Sequence, residues 1–200
     1  ARVYLYAGDK INAQKYSEFI YNQYAPKTGE TRPWSFTSSS DVYPAKQEDS
    51  SVKLIEDLLF ALYDNRLASK VADYQTSNYT SLYLNGLKDL FTQELDQDDY
   101  RGNLIISSSN KETCVKWFDL GTTTANNQRQ YKFVPMIRLS EIYYILSECY
   151  AANGFPEDAE RVLKEVRFAR DAKRVVTRAP SEEFTKALIW EARKEFLTEG

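Results

Sequence analysis

The sequence contains no histidine. Ser-His-Asp and Cys-His nucleophilic catalysis are therefore excluded within this chain, and so are histidine-ligated zinc and iron sites. No glycine-rich phosphate loop of either common spacing occurs, and glycine itself is sparse at 7 of 200 residues. No apolar run approaches the length of about 18 residues that a membrane-spanning helix needs. Basic residues do not dominate: the net charge is −3, which argues against a phosphate-binding nucleic-acid surface. The densest basic stretch, Lys164–Arg178, is diluted by Glu165 and Asp171 and reads as a solvated helix end with cations near its negative pole. There are only two cysteines. Cys149 falls on an apolar helical stripe and reads as a buried thiol, Cys114 lies in an extended segment, and a bridge between them is possible but not implied. No signal peptide is visible, and the chain starts inside a helical pattern and stops without a tail, which leads us to expect a fragment of a longer protein.

What is present in excess is aromatic. Aromatic residues make up 14% of the chain, with 15 Tyr and 3 Trp, more than a helical core requires. Such rings join a flat apolar face to a polar edge, which suits stacking on sugars or bases as well as packing between helices.

The most ordered pattern lies at Lys132–Arg170. Ile142, Ile145, Leu146 and Cys149 recur at helical spacing, and so do Ala159, Val162, Leu163 and Val166. Gly154 suits the left-handed end of the first helix, and Pro156 suits the first turn of the next. The prediction is an antiparallel helical hairpin. The N-terminus carries a partial copy, with Tyr4 corresponding to Tyr150, Gly8 to Gly154, Ala13 to Ala159 and Ile20 to Val166. The shared Tyr-x3-Gly-x4-Ala spacing places a small residue where two helices must approach, and it resembles the core of the tetratricopeptide repeat. Arg2–Tyr24 is accordingly expected to be a second hairpin.

Between them, Pro26–Ser51 reads as a long polar loop containing Trp34, Phe36 and Tyr43, each an anchor for the loop or a ligand contact. Val52, Ile55, Leu59 and Leu62 predict a helix over Ser50–Tyr63, with Glu48 and Asp49 ahead of it. Asp64–Thr80 reads as loop, Ser81–Leu95 as a short helix, and Asp96–Gly102 as an acidic turn. Leu104–Ile106, Glu112–Leu120 and Tyr131–Val134 read as short strands. Lys173–Pro180 is a linker, and Ser181 caps a last helix through Phe196. The fold class is therefore mainly α: tetratricopeptide-like hairpins (1–24 and 132–200) with a loop-rich insertion (25–131) carrying helices and a few short strands.

The insertion offers little catalytic or metal chemistry. Asp96–Asp99 lacks the calcium-loop pattern, since Tyr100 and Arg101 stand where a ligand and a glycine should be. A glycosidase pair of carboxylates cannot be picked from 29 acidic residues. We expect no metal, no cofactor and no enzymatic activity. The candidates for ligand contact are the loop aromatics Trp34, Tyr74, Tyr79, Tyr83, Tyr100 and Trp117, because sugar rings offer C–H faces to such side chains. Trp190, inside a helix, is expected at the core or an interface.

Three segments in order carry a resemblance. Phe133–Gly154, with Pro135-x-Ile137-Arg138-Leu139-x-Glu141 opening a long helix, then Glu157–Arg170, then Glu191-x-Arg193-x-Glu195-Phe196-x-x-Glu199-Gly200 near the end, resemble the C-terminal signature of the SusD-like (SusD/RagB) family. Asp99-Tyr100-Arg101 is similar to a structural Asp-x-Arg element of the family's middle region, and Ala1–Tyr21 is similar to its earlier repeat helices. The resemblance implies a Bacteroidetes outer-membrane lipoprotein facing outward, anchored by a lipid outside this sequence. It would bind a nutrient, usually an oligosaccharide or polysaccharide, without a reaction and deliver it to a SusC-like TonB-dependent transporter. Two other readings compete with it: a helical-repeat scaffold for protein–protein interaction and a glycan-active enzyme.

Overall fold

The structure, a computed structural model, describes residues 1–27, 32–42, 53–67, 70, 86–92, 98–108, 111–117, 132–172 and 178–199. In chain order the helices are α1 (Arg2–Tyr6), α2 (Lys10–Tyr24), α3 (Ser39–Val42), α4 (Asp89–Thr92), α5 (Leu139–Ala152), α6 (Pro156–Ala169) and α7 (Glu182–Glu195). The strands are β1 (Leu58–Tyr63), β2 (Ile105–Ser108), β3 (Lys111–Cys114) and β4 (Phe133–Arg138). The fold is mainly α, with helical hairpins as its frame. Among the described residues no helix is long and apolar enough to cross a membrane.

Both expected hairpins form. Gly8 and Gly154 take positive φ angles of 77° and 86° at their turns, a conformation that costs any residue with a Cβ. Ala13 and Ala159 are both fully buried, so each lets a neighbouring helix approach closely. The hairpins also stack on each other, because α5 packs against α2 on one side and α6 on the other. Asn153 at the second turn donates to the Gln14 side chain at 2.7 Å and to the Lys10 carbonyl at 3.3 Å. Ser147 of α5 donates to the Ala159 carbonyl of α6 at 2.9 Å. The main core is the inward face of these helices: Leu139, Tyr143, Leu146, Ala159, Val162, Leu163, Val166, Phe184 and Leu188. Pro156 opens α6 and Ser181 caps α7 by accepting from the Phe184 N–H at 3.0 Å.

The insertion departs from expectation in its first half. Leu58–Tyr63 is not helical. It is a strand paired antiparallel with β4, Leu58 opposite Arg138 and Tyr63 opposite Phe133. Leu54, with φ at 51°, already breaks any helix entering from the loop, and a single 3-10 turn at Ile55–Asp57 follows. Six apolar residues in a row fit a strand as well as a helix, and the available partner decides. β4 runs further than expected and passes through Pro135, which a two-stranded ribbon tolerates because each of its strands is an edge.

Within Ser81–Leu95 the described part is a turn at Gly86, whose φ is 80°, and the one-turn helix α4. The long loop contains α3. β2 and β3 form a hairpin with Ile105 opposite Cys114, and β3 ends at a 3-10 turn over Val115–Trp117 instead of continuing as a strand. Both cysteines are buried free thiols. Trp190 packs beside Leu87, Leu90, Phe91 and Ile105, joining α7 to the insertion.

At Gly154 an added Cβ would meet no atom within 4 Å, so the cost of substitution there is backbone strain alone. Gly154→Ala is expected to lower stability by about 1–2 kcal/mol, read as a shift of the urea midpoint with unchanged helix content.

Candidate functional site

The insertion is held to the helical frame by buried charges. Among the described residues, Asp57, Asp99, Glu191, Glu195 and Glu199 face Arg101, Lys116, Arg138, Arg167, Arg170 and Lys194. The three glutamates lie at helical spacing along α7 and its C-terminal turn, so they share one face. Arg101 bridges Asp99 at 2.6 Å, Glu191 at 2.6 Å and Glu195 at 2.9 Å. Arg138 clasps Glu199 through two donors at 2.6 and 2.9 Å and also donates to the Leu54 carbonyl at 2.8 Å. Arg170 contacts Glu195 at 2.6 and 3.1 Å and pairs with Asp57. Lys116 donates to the Glu195 carbonyl at 2.6 Å and to the Glu199 carboxylate at 2.9 Å.

Burial pushes Glu195 towards its neutral form, but the guanidinium groups of Arg170 and Arg101 outweigh it and hold the carboxyl far below the usual range. Glu191 is likewise pushed up by burial and brought down further by Arg101, Lys194 and Arg167. Glu199 is lowered by Lys116 and Arg138 against its desolvation. Asp57 goes the other way: burial raises it despite Arg170 and Arg138. These charges are spent on one another, so their role is architectural. Arg167 and Arg170 thus correct the reading of Lys164–Arg178 as a solvated helix end, since both are buried at 3% and 0% exposure.

The network positions a loop bearing aromatics. Residues 32–38 lie in neither helix nor strand, and Trp34 and Phe36 within them pack against the main core. Trp34 is half-buried, set edge-on to Tyr24 at 5.2 Å, and Tyr24 meets Phe19 at 6.4 Å. Phe36 turns inward against Tyr143 at 5.1 Å and lies under the Arg170 guanidinium at 5.1 Å. Trp34 therefore anchors the loop against the main core while staying half-buried, and Tyr24 stands between it and Phe19, which is 52% exposed.

Of the other expected contacts, Tyr100 is 3% exposed, enclosed by Val42, Leu54, Leu104 and Val115. Its hydroxyl donates to the Thr37 carbonyl at 2.6 Å and accepts from Arg170 at 2.8 Å. Tyr100 has no free face for a ligand, and its expected role is corrected to a structural one. Tyr74, Tyr79, Tyr83 and the side chain of Trp117 lie outside the described residues.

A separate cavity of about 670 Å³ lies between α1, α5 and α7. Its walls include Tyr6, Ile145, Leu188 and Ile189. The charges at its rim are paired, Arg2 with Glu141 and Lys10 with Glu148 at 2.9 Å. Neither Trp34 nor Tyr100, the expected ligand residues that are described, lines it. Among the described residues no cluster of three acidic or cysteine side chains could hold a metal ion.

Several residues of the ion network were legible in sequence as parts of motifs: Arg138 in the segment opening α5, Glu191, Glu195 and Glu199 in the last one, and Asp99 with Arg101 in the insertion. Asp57 carries no signal of its own. Its helix-like surroundings hide it until β1 pairs with β4.

Comparison with known proteins gives a consistent result. The model of the SusD family matches residues 6–200. A SusD-like carbohydrate binding protein from Bacteroides vulgatus has the same fold over the whole chain, with a TM-score of 0.65 and 22% identity, the chain covering 41% of that protein. A SusD superfamily protein from Bacteroides thetaiotaomicron matches with a TM-score of 0.71 and 19% identity, again over the whole chain and over 46% of the relative. The chain thus spans less than half the length of these solved relatives. No curated protein matches.

Two outcomes follow from the buried charges. Glu195→Gln leaves Arg170 and Arg101 short of a counter-charge and is expected to cost about 3–5 kcal/mol in denaturant unfolding. For the pH dependence, Glu191, Glu195 and Glu199 lie below the ordinary glutamate value of 4.5 when folded. Their contribution is complete above that value and is lost as the pH falls below it. Asp57, raised on folding, offsets part of that loss. Urea midpoints measured from neutral to acid pH should hold level and then drop below the ordinary glutamate range, and the drop should be shallower in Glu195→Gln.

Proposed function

The chain belongs to the SusD family, and on that premise we propose that it contributes to capture of a nutrient glycan at the outward face of the outer membrane. The cargo is an oligosaccharide or polysaccharide, passed to a SusC-like TonB-dependent transporter. Attachment to the membrane is through a lipid anchor outside this sequence. Binding is non-covalent and no bond in the cargo is made or broken.

The observation that carries this reading is the half-buried Trp34, which meets Tyr24 edge-on, with the exposed Phe19 on the far side of Tyr24. A sugar presents an apolar C–H face of the kind such rings accept, and a ring already held by the core loses little freedom on binding. Tyr74, Tyr79, Tyr83 and Trp117 belong to the same proposal as further contacts from the insertion. The helical hairpins supply the rigid frame, and their outer surface is the part proposed to meet the transporter.

Calorimetry or affinity electrophoresis against a panel of glycans tests the reading. Binding without product formation is expected, weakened about tenfold or more by Trp34→Ala, equivalent to about 1.4 kcal/mol, and weakened also by Tyr79→Ala. Binding untouched by both variants would move the site elsewhere. Turnover of a glycan, abolished by one carboxylate substitution, would replace capture with catalysis.

A further inference from the structure

We propose that Tyr100 and Arg170 are positioning residues for the Trp34 ring, acting through the backbone of Thr37; the inference rests on the glycan-capture reading of that ring. Residues 32–38 lie in neither helix nor strand, so other contacts must hold this stretch in place. At one end Arg32 reaches the carbonyls of Asn22 and Gln23 at the close of α2. At the other end the Thr37 carbonyl accepts two donors, the Tyr100 hydroxyl at 2.6 Å and Arg170 Nη1 at 3.2 Å. The Thr37 hydroxyl donates to Glu56 at 2.6 Å. Thr37 and Arg170 are fully buried and Tyr100 is 3% exposed, so water cannot replace these bonds.

The clamp is itself held from outside the loop. Arg170 stands at the end of α6, gripped by Glu195 of α7 and by Asp57, and its guanidinium covers the Phe36 ring. The Tyr100 hydroxyl has one proton. It gives that proton to Thr37 and accepts from Arg170 at 2.8 Å. Arg170, held by the α7 carboxylate, therefore donates to Tyr100, which donates on to Thr37, three residues from Trp34. Between them Phe36 is locked by Tyr143 on one side and Arg170 on the other. Phe36 and Thr37 stand two and three residues from Trp34 along this stretch. Holding Phe36 and Thr37 in place therefore restricts the direction in which Trp34 leaves the backbone.

Tyr100→Phe tests this, because it keeps the ring in its apolar cluster and removes only the hydroxyl. The protein is labelled with 5-fluorotryptophan, and the Trp34 fluorine resonance is assigned by its disappearance in Trp34→Phe. In Tyr100→Phe that resonance is expected to shift and broaden, and glycan affinity to fall about fivefold, the scale of one lost hydrogen bond. Gly154→Ala, a destabilised variant far from the loop, should leave both unchanged. An unshifted Trp34 resonance in Tyr100→Phe overturns the positioning role, whatever happens to binding. A shifted resonance with full affinity retained, while Trp34→Ala loses binding, also overturns it. If Trp34→Ala leaves binding intact, the glycan reading of Trp34 fails on its own, and the resonance still decides whether Tyr100 sets the ring.

Discussion

The structure depends on the pairing of Glu195 with Arg170 and Arg101. One carboxylate on α7 accepts from a guanidinium at the end of α6 and from another in the insertion. Each of these groups is buried, and an isolated charge in such a place would be prohibitively unfavourable. The pairing is thus conditional on all three segments being present together. Removing any one of these groups would leave the others as uncompensated buried charges, which is strongly unfavourable. The pairing ties the described parts of the insertion, whose apolar side chains fall into small clusters, to the helices.

The helical frame works on another principle. Its contacts are local in sequence and rely on small residues. Gly8 and Gly154 turn the chain, and Ala13 and Ala159 let neighbouring helices close in. Repeats of this kind gain stability from their neighbours, and here the stacking of α2 on α5 supplies it. The last helix, α7, belongs to both systems. Phe184 and Leu188 face the helical core, Trp190 faces the insertion, and the three glutamates fill the seam between them. A single helix with three committed faces transmits the geometry of the frame to the loop that bears Trp34.

Tyr100 shows how site and scaffold exchange roles. As an aromatic beside acidic residues in a turn, it has the composition of a ligand contact. Its ring is instead enclosed, and its hydroxyl completes the clamp on Thr37. Trp34, also an aromatic in a polar loop, has a different fate: it packs against the main core and Tyr24 and stays only half-buried. Burial, which separates the two, is set by residues distant in the chain.

Much of the frame was legible because its signals are short-range. Helical spacing, a glycine at each turn, Pro156, and Ser181 before α7 act within a few residues, so the two hairpins and the last helix follow from the sequence, and the ordered motifs at Pro135–Glu141 and Glu191–Gly200 already pointed to the family. The absence of histidine closed off whole classes of chemistry in the same direct way. What tertiary structure alone decided is the insertion. Leu58–Tyr63 became a strand because β4 offered it a partner, and Asp57 became a counter-ion because that strand carried it to Arg138 and Arg170. Arg167 and Arg170, which look like solvated cations on a helix end, went inside because acidic partners arrived from α7 and from the loop before β1. Pairing between segments tens of residues apart depends on where the chain returns, and no local pattern encodes that.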